Sequence, residues 1–191
     1  PAVWMLLLAR ATASISNQMT NLHIIAFFVL AGYGEMQSAA AIGVAGLFGI
    51  VARPAFGILS DKIGREVVFS IGMGMTFAAI LVVLLFAGGA NLWVLIIFVA
   101  LNGLSDGVSG LIIGAKAADV YPSNILGSVM GVVQAGRNLG TAAGGVLTGL
   151  LFDINGNYEI AYWIASILAL LSIVAVWAVR IVETPPSNSV D

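Results

Sequence analysis

Cysteine is absent from the 191 residues, which excludes disulfides, thiolate metal sites and cysteine nucleophiles. Histidine occurs once, at His23, so a multi-histidine zinc site is excluded too. Charge is scarce: seven Lys or Arg and nine Asp or Glu, where an average soluble domain of this length carries about 48 charged residues. So few charges cannot clothe a water-soluble globule. Disorder is excluded by an apolar content of 60%. A formal net charge of −2 and a pI near 5.2 give no basic footprint for nucleic acid. No grouping of nucleophile and base, of metal ligands or of cofactor-binding loops stands out, so neither an enzyme nor a cofactor is expected. With a mean hydropathy of +1.07, what remains is an integral membrane protein. The chain begins at Pro1 rather than Met, so a fragment or processed piece is expected. Its first apolar stretch is too long and too polar for the apolar core of a signal peptide.

A bilayer core about 30 Å thick needs about 20 apolar residues per helix. Six segments meet that length: 3–31, 38–60, 67–87, 92–115, 125–152 and 160–182. Each is far too long for a buried strand, and backbone groups in lipid must be satisfied internally. The expected fold is all-α and polytopic, with six transmembrane helices spanning the bilayer. Lys62, Arg65 and Lys116 fall in the second and fourth connectors, and Arg180 near the end of the sixth segment. The other connectors carry only Glu35, Asp153 and Glu159. By the positive-inside bias, both termini face the cytoplasm. A six-helix unit over 1–183, a cytoplasmic tail over 184–191 and a plasma or inner membrane location are expected.

Polarity ranks the segments. The first carries Thr12, Ser14, Ser16, Asn17, Gln18, Thr20, Asn21 and His23, and the fourth carries Asn102, Ser105, Asp106 and Ser109. Polar groups are costly in hydrocarbon, so these two should line a water-filled cavity; interhelical hydrogen bonding is the alternative. Glycines four apart (Gly103 and Gly107, Gly110 and Gly114, Gly127 and Gly131, then Gly136, Gly140 and Gly144) are expected to make flat packing faces.

Charges within the segments are more telling. Arg10 is near a segment end and is expected to snorkel to the headgroups. Arg53, Asp106 and Arg137 are about 10, 14 and 20 Å deep at 1.5 Å per residue. Two cations against one anion leave a positive surplus that a permeating anion could complete; an architectural Arg–Asp pair is the alternative. Pro54 should kink or loosen the helix beside Arg53. Gln134, Arg137 and Thr141 share a helix face, with Asn138 beside them. Hydrogen-bonding groups around a guanidinium suit a planar carboxylate. His23 and Asp106 are the two groups that could carry a proton, with one structural hydrogen bond as the plainer role for His23.

The second connector reads Gly57-Ile58-Leu59-Ser60-Asp61-Lys62-Ile63-Gly64-Arg65-Glu66. This resembles the G-x-L-[SA]-D-[RK]-x-G-R-[RK] signature of the major facilitator superfamily, departing only at Glu66. The resemblance implies a cytoplasmic latch built on Gly57, Asp61, Lys62, Gly64 and Arg65. It also implies a twelve-helix protein in two six-helix halves, each made of two inverted three-helix repeats. The Gly156-Asn157-Tyr158 turn after Asp153 is similar to the link before the last helix of that fold. This chain would therefore be the C-terminal half, its partner the missing N-terminal half. Val51-Ala52-Arg53-Pro54 resembles the eighth helix of monocarboxylate transporters, where that arginine binds the carboxylate. Their animal members have an acid four positions earlier, where this chain has Gly49. Gly127 through Arg137 resembles the eleventh helix of the oxalate–formate antiporter, which is basic at the position of Arg137. The implied activity is secondary active transport of small organic anions by alternating access, with Arg53, Arg137, Gln134 and Thr141 as substrate contacts. A proton-driven exporter of drugs using Asp106, and a non-transporting membrane interaction module, are the alternatives.

Overall fold

The computed structural model describes residues 2–183; the expected tail lies outside the described residues. Eight helices follow one another: α1 (Ala2–Asn21), α2 (Ile24–Leu30), α3 (Glu35–Ile63), α4 (Arg65–Phe86), α5 (Leu92–Ser105), α6 (Val108–Val120), α7 (Ser123–Asn155) and α8 (Glu159–Glu183). They make six spans, because α1–α2 and α5–α6 are each one apolar segment interrupted near its middle. No strand occurs among the described residues. Four stretches are apolar and long enough to cross a membrane by length and composition: α3, α4, Leu92–Val120 and Glu159–Ile181. The other two spans are lowered in hydropathy by the polar side chains of α1 and by the glycines, Gln134, Arg137 and Asn138 of α7.

Both interruptions fall in the first span of a three-helix repeat. In α5–α6, Asp106 is extended and Gly107 adopts φ +76°, a left-handed conformation that costs an L side chain about 1–2 kcal/mol. In α1–α2, Leu22 and His23 form a turn, and Asn102 Nδ2 donates to Asn21 Oδ1 at 3.0 Å to tie that turn to α5. By contrast α3 runs through Pro54 as one helix.

Close approaches fix the register of the bundle. A Cβ at Gly136, Gly140 or Gly144 of α7 would come within 2.9, 2.5 and 2.8 Å of the carbonyl oxygens of Leu7, Ala11 and Ile15. Both helices advance four residues per contact, so α1 and α7 run parallel with their backbones touching. Gly103 meets the Ala45 carbonyl of α3 in the same manner, at 2.5 Å. Thr76 Oγ1 lies 3.1 Å from Ser105 Oγ and Gly72 opposes Val108, so α4 runs antiparallel to α5–α6. Consecutive spans alternate in direction. Three of the expected packing positions differ: among the described residues nothing lies within 4 Å of a Cβ added at Gly127 or Gly131, and Gly107 turns the chain.

Two apolar clusters close the ends. One gathers Leu6, Phe69, Ile112, Val133 and Val176 at the end that holds Arg65, Lys116 and both ends of the described chain. The other gathers Phe28, Tyr33, Phe98, Tyr158 and Tyr162 at the opposite end. Between them a polar cavity opens on one side.

Candidate substrate cavity

The cavity has a volume of about 540 Å³, within the usual range of about 300–1,000 Å³ for small-molecule sites. Ser14, Asn17, Gln18 and Asn21 of α1 supply one wall, and Gln134, Arg137 and Thr141 of α7 the next. Arg53 of α3 and the Asp106–Gly107 break of α5–α6 face them. Among the described residues, Leu111 is the only large apolar side chain in the lining. The predicted contacts Arg53, Arg137, Gln134 and Thr141 thus converge on one space, together with Asp106.

Arg10 joins them, and its expected escape to the headgroups is corrected. It lines the same cavity, and its Nη1 donates to Ser109 Oγ at 3.0 Å. The reason is local: Gly110 has no side chain, and a Cβ there would lie 2.9 Å from Arg10 Nη2. The guanidinium rests in that notch instead of climbing the helix.

Asp106 is held by Arg53, with Nη2 2.6 Å from Oδ2. The interruption aims it. The extended Asp106, followed by left-handed Gly107, sets the carboxylate against Arg53. A side chain at Gly107 would run into Arg53 Nε. Gly49 makes room from the other side, since its Cβ would lie 3.1 Å from Asp106 Oδ2. The carboxylate delivered by α5–α6 therefore takes the space that an acidic side chain at position 49 would have used. With its side chains 54% and 44% exposed, the pair resembles surface ion pairs, worth about 0–1 kcal/mol. Arg10 and Arg137 have no acid within ion-pair distance among the described residues. Three guanidinium groups and one carboxylate line the cavity, a formal charge of three minus one, or +2.

His23 stands apart from this space. Its ring lies 5.5 Å from that of Tyr158, and its Nε2 is buried without a hydrogen-bond partner. Burial, and then the charge of Asp153, pushes the Tyr158 phenol up, which keeps it neutral beside His23. Of the two groups expected to carry protons, only Asp106 opens on the cavity.

Of the residues expected in the latch, Asp61 and Arg65 join a separate ionic cluster at the basic end. Gly64, at φ +99°, separates α3 from α4 and lets Arg65 turn back. Arg65 meets Asp61 at 2.5 Å and Asp119 of α6 at 2.9 Å, and Ser60 Oγ accepts from it. Gly57 faces Leu111 of α6 with ordinary contact distance, 3.6 Å for an added Cβ; Lys62 is exposed. Glu66, the departure from the signature, pairs with Lys116 at 2.9 Å, each side chain 11% exposed. An acid stands on α4 where the pattern has a base, and α6 supplies the cation. No group of three or more metal-ligating side chains occurs among the described residues.

An all-helical unit of six alternating spans, with a polar cavity beside two interrupted helices, is the build of a membrane transporter. The chain belongs to the Major Facilitator Superfamily, whose family model matches residues 1–191. It is 29% identical over 151 residues to the lysosomal dipeptide transporter MFSD1 of Bos taurus, covering 78% of this chain and 31% of that protein. It is 30% identical over 151 residues to the multidrug resistance protein MdtG of Escherichia coli, covering 76% of this chain and 35% of that protein. The chain spans about a third of the length of these curated relatives. Among solved structures, a POT peptide transporter in complex with alafosfalin superimposes with a TM-score of 0.81 at 17% identity, over 95% of this chain and 38% of that one. The POT family transporter PepTSo gives 0.76 at 14% identity, over 98% and 39%. These likenesses establish the fold.

Proposed function

We propose that this chain is the C-terminal half of a secondary active transporter that carries small organic anions by alternating access. The observation that supports it is the cavity charge: Arg10, Arg53 and Arg137 face a single carboxylate, Asp106. Like charges gathered in one cavity repel one another and favour an anion that completes them. A carboxylate can bond a guanidinium in bidentate fashion, with Gln134 and Thr141 as neutral donors on the same face. The cavity is open on one side in this chain, so an N-terminal half would supply the opposite wall and rock against this one around the bound anion. In this reading the latch residues and both termini lie on the cytoplasmic side, and the cargo meets Arg137 while Arg53 holds Asp106.

A second reading, a zwitterionic dipeptide, draws on the half-exposed Asp106 as a partner for an ammonium group and on the relative named as a dipeptide transporter. A drug exporter draws less support from this wall of the cavity, because amphipathic drugs need apolar walls and Leu111 is the one large apolar side chain among the described lining residues. The test is uptake of labelled mono- and dicarboxylates and of a dipeptide into proteoliposomes holding the full-length transporter, with and without a pH gradient. Arg137→Gln is expected to lower carboxylate uptake about tenfold or more, the loss of one charge-assisted contact. Dipeptide uptake without carboxylate uptake, or full carboxylate uptake by Arg137→Gln, contradicts the anion reading.

A further inference from the structure

Arg53 already has a carboxylate partner, so the unmatched positive charge of the cavity belongs to the other two arginines. Arg10 is fixed by three features that do not depend on one another. Ser109 Oγ, on a buried residue, accepts from its Nη1 at 3.0 Å. Gly110 leaves the notch in which the guanidinium lies. The parallel glycine contacts bring Leu7 and Ala11 of α1 against Gly136 and Gly140 of α7, so residues 10 and 137 project from neighbouring levels of two touching backbones. Both open on the same space. Two like charges are held together here with no acid to separate them.

We infer that Arg10 and Arg137 form a two-guanidinium fork selecting a dianionic cargo, a small dicarboxylate in preference to a monocarboxylate. The inference rests on the organic-anion reading and deepens it. A monoanion satisfies one guanidinium and leaves the other unmatched, whereas a dianion discharges both. Arg53 then serves as the partner of Asp106, and Arg10 is the specificity-determining residue.

The test compares succinate with butyrate, which have the same number of carbons and differ by one charge at neutral pH. Uptake of each is measured in proteoliposomes with the full-length transporter, the Arg10→Gln variant and the Arg10→Lys variant. The parent is expected to favour succinate. Arg10→Gln should lower the succinate-to-butyrate ratio about tenfold, one charge-assisted contact, succinate uptake falling by more than butyrate uptake. Arg10→Lys, which keeps the charge, should retain most of the ratio. A purely structural Arg10 would lower both fluxes together and leave the ratio unmoved. An unchanged ratio in Arg10→Gln, or a parent that favours butyrate, overturns the inference and leaves the organic-anion reading standing. Absence of uptake of either acid by the parent overturns both. Should Arg10→Gln not fold, Ser109→Ala, which removes only the acceptor that orients the guanidinium, must lower the ratio, and an unchanged ratio there overturns the fork.

Discussion

Glu66 and Lys116 meet at 2.9 Å with each side chain 11% exposed, whereas Arg53 and Asp106 meet at 2.6 Å with side chains 54% and 44% exposed. Beside the first pair, Arg65 lies between Asp61 and Asp119. Around the second, Arg10 and Arg137 add positive charge that no described acid meets. The basic end is therefore electrostatically closed and mechanically binding, tying α3 and α4 to α6. The cavity is electrostatically open. Similar side chains at two levels of the same helices make a fastening in one place and a receptor in the other, and what separates them is exposure and the count of acids.

The difference is easiest to break at the closed end. Lys116→Met leaves Glu66 buried opposite an uncharged side chain, and removing one partner of a buried pair costs about 3–5 kcal/mol. Thermal unfolding in detergent should show that loss, and the double variant Lys116→Met with Glu66→Leu should recover most of it. Parent-like unfolding of Lys116→Met would mean that the basic end is no more closed than the cavity.

Next in size is the turn that aims Asp106. Gly107→Ala should cost about 1–2 kcal/mol from the left-handed backbone alone, before the contact with Arg53 is counted. Gly74→Ala, in a helix with nothing within 4 Å of the added methyl, should instead be neutral or stabilising by up to about 1 kcal/mol. The same thermal unfolding ranks the two. Equal effects would show that the interruption does not depend on glycine.

The smallest effect on stability is expected in the cavity. Arg53→Gln should shift unfolding by less than about 1 kcal/mol, as for a solvent-screened pair, yet it should depress carboxylate uptake by the full-length transporter. A stability loss as large as that of Lys116→Met would make the two clusters alike and remove the distinction drawn between them.

Much of this was legible in the sequence because bilayer thickness translates directly into apolar run length. The six spans follow from it, and the polarity of the first and fourth segments marks the walls of the cavity. Arg53 was legible as an intramembrane charge, and Gln134, Arg137 and Thr141 as polar groups sharing one face of a helix. Arg10 was not, since its depth along a straight helix suggests snorkelling, and what holds it inward, the Ser109 hydroxyl and the notch at Gly110, lies across the bundle. The interruptions were equally hidden. Asp106-Gly107 is a turn signal, but it lies inside an apolar run that reads as one helix, and Leu22-His23 carries no breaker at all. Nor does local sequence tell that Gly49 clears space for a carboxylate arriving from residue 106, or that Glu66 is answered by Lys116, because both matches are made between helices.

The central claim is the unmatched positive charge of the cavity, and adding one acid beside it is the most direct test. Gln134→Glu puts a carboxylate three residues from Arg137 on the same face of α7, a spacing at which side chains pair. Uptake of labelled succinate by the full-length transporter is expected to fall about tenfold or more in that variant, one guanidinium having been discharged from within, with thermal unfolding unchanged. Succinate uptake equal to that of the parent would contradict the account.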